Sequence, residues 1–524
     1  MAEELQAIPT HAAESASLTQ GLARNTIFNL LGWAWPAGLA IVSVPYIVTE
    51  LGTDAYGVFS IVSIVAGYLG MLSSPVAMGN VRFMAEAYAH GEWSKLRGAA
   101  LGGLVINLAL SALGGLIMFL AADWLARNVF AIPAALVGTA VIVFRLAAFG
   151  FVLNGAVGAL ESIPMAMRRY DISNQARVIV GTLNTVAIVL ALWWGRGLLG
   201  AVVAQVISSA LGLALFTAVA WRLLRRFPGS TRKPLVNVAS VRRLVSFSSL
   251  LFVAQVISQI GLQVDRTLIG ILVSTSALTF YTVPAKITDR IPSMMYAFAI
   301  ALYPLSSEAV ATDKVDELRR LYHEMVRILL WVTAFIATLL ITLSKDLLEL
   351  WIGHDFMVNS WLVLALLAAS VVWRSSGSVA YQVCTGMGRA DVNLIASIGT
   401  AVSMTVPVLI MAPKWGAPGV AFGVFLGLFV SNLAYDVFTQ RKLLGSKSWK
   451  ENLAPYIRVV LAQVAAILSY HLLSVQLAGW AGLFINACLV SCFYLGWSLL
   501  AGALAVRDVR VIVAKVNHAF HTIR

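Results

Sequence analysis

The amino-acid sequence predicts an all-α, polytopic membrane protein of about 14 transmembrane helices, arranged as two parallel six-helix lobes followed by two extra C-terminal helices. Three observations predict it. The chain is 60% hydrophobic and only 12% charged, with a mean hydropathy of +0.85, whereas a soluble domain carries about 25% charged residues. Its apolar runs are far longer than the roughly 10-residue alternating strands of an outer-membrane barrel. Local sequence also recurs at a shift of about 221 residues. A soluble enzyme is excluded, because so few charges cannot cover a water-facing surface, and a disordered chain is excluded by the hydrophobicity.

A spanning helix needs about 20 mostly apolar residues, since roughly 30 Å of hydrocarbon is crossed at 1.5 Å per residue. Such runs lie at 25–48, 57–78, 99–121, 134–157, 178–194 and 198–220, then 248–272, 284–309, 329–344, 361–383, 394–412 and 420–437, and finally 459–475 and 481–505. The expected organisation is a cytoplasmic tail (1–24), an N-lobe (25–220), a cytoplasmic linker (221–247), a C-lobe (248–437), spans 13–14 (438–505) and a second cytoplasmic tail (506–524). The first 22 residues carry Glu3, Glu4 and Glu14 without a basic n-region, so they read as a tail and not as a cleavable signal.

The net charge is +13, from 37 basic and 24 acidic residues. Lys and Arg collect on the cytoplasmic side of membrane proteins. With both termini inside, 28 basic residues fall on inside segments and only Arg127, Arg196, Lys345 and Lys414 on outside loops. That bias sets the orientation in the inner membrane and explains most of the charge without nucleic acid. Cys384, Cys488 and Cys492 lie in or beside spans and read as small apolar residues, not as a disulfide or metal set.

The repeat carries the two-lobe expectation. Leu51–Gly57 resembles Val273–Thr279, Glu92–Arg97 resembles Lys314–Arg319, Met167–Asp171 resembles Met387–Asp391, and Trp194–Gly195 resembles Trp415–Gly416. Six spans per repeat is an even number, so the halves share one orientation, as in the parallel repeats of some transporters.

Ionisable residues inside spans are costly and face a cavity or pair with each other. Arg145 lies near the middle of span 4 and Arg374 near the middle of span 10. Asp265 and Arg266 fall in the outer half of span 7, and Lys286, Asp289 and Arg290 at the outer start of span 8. Asp436 and Glu308 sit near cytoplasmic ends, where they can snorkel to water. Pairing between spans 7 and 8 is the bland reading of both Asp residues. Five cations against two embedded acids still leave a surplus that suits an anion, and the planar fork of Arg suits phosphate. Gln255, Gln259, Gln263 and Arg266 recur at helical spacing as one polar stripe, which lines a wet lumen or bonds to a neighbouring helix. Pro75 and Pro292 are placed to kink spans 2 and 8. No Walker A motif is present, which argues against ATP as the energy source.

Several stretches resemble the bacterial polysaccharide flippases of the Wzx type, which export lipid-linked repeat units of O-antigen (lipopolysaccharide) or exopolysaccharide. These belong to the multidrug/oligosaccharidyl-lipid/polysaccharide exporter superfamily. The stretches are Pro45–Gly52 with Tyr56–Phe59, Arg82 with Ala85, Gln263–Gly270, Tyr281–Lys286, Tyr303–Pro304, Leu350–Gly353 and Gly386–Arg389. The resemblance covers roughly residues 20–440. It implies a V of two lobes around a cationic lumen and alternating access coupled to H+ or Na+. It further implies an undecaprenyl-pyrophosphate-linked oligosaccharide as substrate, with glycan polymerase machinery as a partner. In that reading Arg145, Arg266, Lys286, Arg290 and Arg374 line the lumen with Gln255, Gln259 and Gln263. Asp265 and Asp289 orient those cations or take part in coupling. Spans 13–14 lie beside a lipid groove in related peptidoglycan-precursor flippases. The chain lacks the acid in span 1 that some cation-coupled drug exporters use, which weighs against the alternative, a multidrug or small-molecule antiporter of the same fold. A non-transport assembly partner is the third reading. No catalytic residue, metal site or cofactor is expected.

Overall fold

The computed structural model describes residues 11–225, 261, 263–446, 448–473 and 479–503. Gln255 and Gln259 lie outside the described residues. Among the described residues the chain is helical, with no strand. Helices are what a bilayer permits, because each backbone N–H and C=O must be satisfied within its own segment.

Eleven helical stretches are long and apolar enough to cross a membrane. Some hold two spans. Helix α1 (His11–Gly70) has 60 residues, about 90 Å at 1.5 Å per residue, and breaks at Gly52, whose φ of 74° only glycine adopts at little cost. The N-lobe continues with α2 (Ser74–Ala89), α3 (Trp93–Trp124), α4 (Ala134–Ala166), α5 (Tyr170–Trp193) and α6 (Gly197–Leu224). Pro75 opens α2 and does not kink a longer helix. The C-lobe follows residues 263–272, which are helical, with α7 (Thr275–Thr288), α8 (Arg290–Ala299), α9 (Leu302–Ala311), α10 (Val315–Thr342), α11 (Ser344–Trp351), α12 (His354–Gly386) and α13 (Ala390–Phe438). The last two helices are α14 (Trp449–Leu472) and α15 (Gly479–Leu500). Taking both arms of α1 and α13, these helices match thirteen of the fourteen expected runs, and of the run 248–272 only the helical stretch 263–272 and residue 261 lie among the described residues.

Span 8 differs from its expected bounds. It begins at Thr275 and runs in three pieces, α7 to α9, with turns at Asp289 and at Ile300–Ala301. Pro292 sits at the third position of α8 and has no N–H for the carbonyl four residues back, so the helix breaks before it. Lys286, Asp289 and Arg290 therefore lie well inside the span at a break, and not at its outer start.

The chain divides into two compact units, 1–129 with 133–256, and 130–132 with 257–524. Each is built inside out relative to a soluble bundle. On α3 the buried positions are Gly102, Gly103, Asn107, Ser111, Gly114 and Gly115, while Leu113, Leu116 and Leu120 are exposed. Lipid offers no hydrophobic drive between helices, so small residues that permit close backbone contact form the interfaces. The two arms of α13 fold back at Gly416 and show the same logic. A Cβ on Gly427 would lie 2.4 Å from Met404 Cα, and one on Gly423 2.8 Å from Val408 N. Both obstacles are backbone. Gly427→Ala is therefore expected to lower stability by about 1–3 kcal/mol through overpacking, read as a fall in melting temperature in detergent. Gly399→Ala, where a Cβ meets nothing within 4 Å, should change little.

The backbone carries the sequence repeat. Gly91 and Asp313 both take positive φ (68° and 55°), as do Arg168 and Gly388 (57° and 74°) and Gly195 and Gly416 (69° and 59°). Arg169 and Arg389 each grip the Asp two residues on, Asp171 and Asp391, through paired guanidinium bonds of 2.9–3.0 Å. Arg97 donates to the Leu224 carbonyl and Arg319 to the Leu444 carbonyl, both at 3.2 Å. The fourth pair diverges: Gly52 is left-handed, whereas Ser274 is extended and caps α7 by accepting from Ala277 N–H at 3.0 Å.

Spans 13–14 pack on α10 of the C-lobe. The Tyr456 ring stacks on Trp373, with centroids 5.6 Å apart and planes 4° apart, and Tyr494 donates to the Trp331 carbonyl at 3.0 Å. Asp436 sits at this junction. It does not snorkel to water, as its place near a cytoplasmic end suggests; it is 0% exposed. The helix runs on past it into a π-turn at Thr439–Leu443 and directs the carboxylate inward. There it accepts from Tyr322 and Tyr456 hydroxyls and from the Gln440 amide at 2.7 Å. Cys384 is buried beside it, with Sγ 3.6 Å from Thr439 Oγ1, and all three cysteines are free.

Candidate functional site

Asp265, Arg266 and Asp289 form a cluster between the 263–272 segment and the α7–α8 break. Asp265 is buried and accepts from the Tyr281 hydroxyl, itself 0% exposed, and from the Arg266 backbone N–H at 2.8 Å. The Arg266 guanidinium pairs through Nη2 with Asp289 Oδ2, 23 residues away and just before α8. The break at Asp289 lets this carboxylate turn back toward the 263–272 helix. Arg266 Nε is buried and has no partner among the described residues. The geometry thus brings Asp265, Arg266, Asp289 and Tyr281 together as an inter-helix network. Gln263 is half-buried on the same helix, its carbonyl accepting from Thr267 Oγ1 at 2.8 Å. Lys286 and Arg290 are exposed.

Arg374 stands apart from that cluster. It is half-buried near the middle of α12, the helix against which α7, α10, α11 and α13 all pack. Its neighbours Trp373, Ser375 and Ser376 are buried, and the two serines spend their hydroxyls on backbone carbonyls, Ser375 on Val371 at 2.9 Å and Ser376 on Trp373 at 2.9 Å. Among the described residues Arg374 has no hydrogen bond or ion pair.

In the N-lobe, Arg145 is exposed on α4, and its guanidinium lies over the Phe119 ring at 5.3 Å. Phe119 meets Phe149 edge-on, centroids 6.1 Å apart. A cation over an aromatic face gains about 0.5–1 kcal/mol at an exposed site, too little to replace the solvation of a guanidinium.

The arrangement separates cations that are already satisfied from those that are not. Asp289 matches Arg266 directly, and Asp265 is held by Tyr281. Arg374 and Arg145 keep charge available for an anion. Tyr281 is the partner that sequence reasoning missed, since one tyrosine in an apolar run gives no signal of the acid 16 residues before it. Among the described residues no group of three or more His, Cys, Asp or Glu could hold a metal.

Residues 22–310, more than half of the chain, match the family model described as polysaccharide biosynthesis protein. The chain belongs to the polysaccharide biosynthesis protein family. It is 20% identical over 402 residues to a putative O-antigen transporter of Shigella flexneri, covering 76% of this chain and 93% of that one. Among solved structures it resembles the lipid II flippase MurJ in an inward closed conformation, with a TM-score of 0.66, 12% identity, and 91% and 97% of the two chains covered. It also resembles an inward-facing multidrug resistance MATE family transporter, with a TM-score of 0.64, 15% identity, and 80% and 96% covered. These likenesses give the chain the helical, multi-pass fold of the two solved transporters.

Proposed function

We propose that this protein moves an undecaprenyl-pyrophosphate-linked oligosaccharide repeat unit from the cytoplasmic to the outer leaflet of the inner membrane by alternating access. The observation that carries the reading is Arg374, a half-buried cation in the most packed helix of the C-lobe with no anionic partner among the described residues. A cation held within a span at this cost marks a substrate path, and pyrophosphate is the anion its fork fits best. Family membership supports a glycan-bearing substrate. Arg145 supplies a cation in the N-lobe, and Arg266, Lys286 and Arg290 supply the remaining lumen cations. Asp265 and Asp289 orient Arg266 and are the candidate groups for H+ or Na+ coupling. Both termini face the cytoplasm, following the bias of basic residues.

A deletion strain tests the reading. Lipid-linked repeat units should accumulate on the cytoplasmic face while surface polysaccharide disappears. Unchanged glycan with raised drug sensitivity would instead establish a multidrug antiporter, for which the exporter fold is equally suited.

A further inference from the structure

Asp436 on α13 is a buried ionisable group that the function proposed above does not use. It is fully buried, and among the described residues it pairs with no Lys or Arg. Its shell is neutral and comes from three elements. Tyr322 on α10 donates to Oδ1. Tyr456 on α14 and Gln440 in the π-turn Thr439–Leu443 donate to Oδ2, the latter at 2.7 Å. Three further titratable groups stand near this shell. Cys384 on α12 has its Sγ 3.6 Å from Thr439 Oγ1. The Tyr435 hydroxyl goes to Asn393 Oδ1. His323 lies edge-on to Tyr322, with centroids 6.1 Å apart. None of the three bonds to the carboxylate.

A carboxylate only accepts, so three donors suit it. A neutral carboxylic acid must also give a hydrogen and needs an acceptor. That acceptor is present. Gln440 Oε1 is buried and has no partner among the described residues. It is the other end of the amide whose Nε2 meets Asp436, so a half-turn about the Cγ–Cδ bond brings Oε1 to Oδ2 in its place. A second acceptor is the Tyr456 hydroxyl, which also lies beside Ser376. Ser376 spends its own hydrogen on the Trp373 carbonyl at 2.9 Å, so its oxygen can accept the hydrogen that Tyr456 turns away from Asp436. The shell therefore serves both protonation states.

The same shell selects the ligand. A metal cation needs oxygen lone pairs on several sides, whereas the groups around Asp436 aim hydrogens at it. The other embedded acids suit a proton less well. Asp289 is in an ion pair with Arg266, which a proton would break, and Asp265 accepts from the Arg266 backbone N–H. An ionisable residue held within a span without a counter-charge is costly and marks a functional site.

We propose that Asp436 is a reversible proton-binding site, with the Gln440 amide turning as the proton arrives and leaves. The proton enters by the π-turn, where Arg441 and Lys442 are exposed. It changes the bonds that tie α10 and α14 to α13. Tyr456 carries that change to α12, because its ring stacks on Trp373 and its hydroxyl neighbours Ser376, one on either side of Arg374. The site deepens the coupling in the function proposed above and does not depend on the identity of the substrate.

The test is a difference infrared spectrum of the purified full-length protein in an ester-free detergent, taken between about pH 5 and about pH 8. The native protein should show the carbonyl stretch of a buried protonated carboxylic acid at the lower pH and lose it at the higher. Asp436→Asn keeps the size and an accepting oxygen and adds an NH2 for Gln440 Oε1; it should lack the band. Tyr456→Phe should keep the band but shift it, since the acid loses one hydrogen-bond partner, and so reports on Asp436 even where the Asn variant fails to fold. Asp265→Asn and Asp289→Asn should leave the band unchanged. A native spectrum without the band would overturn the site. So would a band that survives Asp436→Asn, stays unmoved in Tyr456→Phe, or disappears with Asp265 or Asp289. The spectrum uses no substrate, so its failure leaves the glycan reading standing. Normal polysaccharide in the deletion strain would overturn that reading and leave the proton site.

Discussion

Replacing Arg374 with alanine is expected to abolish surface polysaccharide while the protein level holds. Arg374 is half-buried among buried neighbours and lacks an internal acid among the described residues, so its charge is retained at a cost in folding. Truncation removes that cost, and the variant should be at least as stable as the native protein in a melting assay. What is lost is the charge-assisted contact with the substrate, worth about 1.5–3 kcal/mol, which corresponds to roughly a 10- to 150-fold weakening. Arg374→Lys keeps the charge but loses the planar fork and should restore transport only in part. Arg145→Ala should have a smaller effect, because that guanidinium is exposed and rests on Phe119. Normal polysaccharide in Arg374→Ala would remove it from the substrate path. A fall in stability would show that it has a structural anion partner.

Much of the fold was legible in the sequence because lipid imposes a one-dimensional rule: long apolar runs become helices. The repeat was legible because its marks are local. Positive-φ positions such as Gly388 and Gly195 and the Arg389–Asp391 pair fall at fixed offsets within a few residues. Register between helices was not legible. Charge alone made Asp289 the span 8 partner open to Arg266, but that its carboxylate reaches the guanidinium depends on the break before Pro292.

Asp436 shows the same limit at its largest. Near the end of an apolar run and five residues before Arg441, it has the sequence context of a carboxylate that reaches water. Its position is instead decided by Tyr322, 114 residues earlier, and Tyr456, 20 residues later. The acid thereby joins span 12 to span 9 and to the first of the extra helices, and its tyrosine partner Tyr456 also carries the stack on Trp373. Asp436→Ala would strand two tyrosine hydroxyls and an amide at once, with no water to receive them. Breaking a buried network of this kind costs about 3–5 kcal/mol, and a domain of 150–250 residues loses roughly 2–4 °C of melting temperature per kcal/mol. The expected result is a fall of about 6–20 °C in detergent, with α14 more open to proteolysis than in the native protein. Tyr322→Phe should cost less, since Asp436 then keeps Tyr456 and Gln440. A melting temperature for Asp436→Ala within 2 °C or so of native, below the loss from even 1 kcal/mol, would mean that spans 13–14 are held by their aromatic and small-residue packing alone.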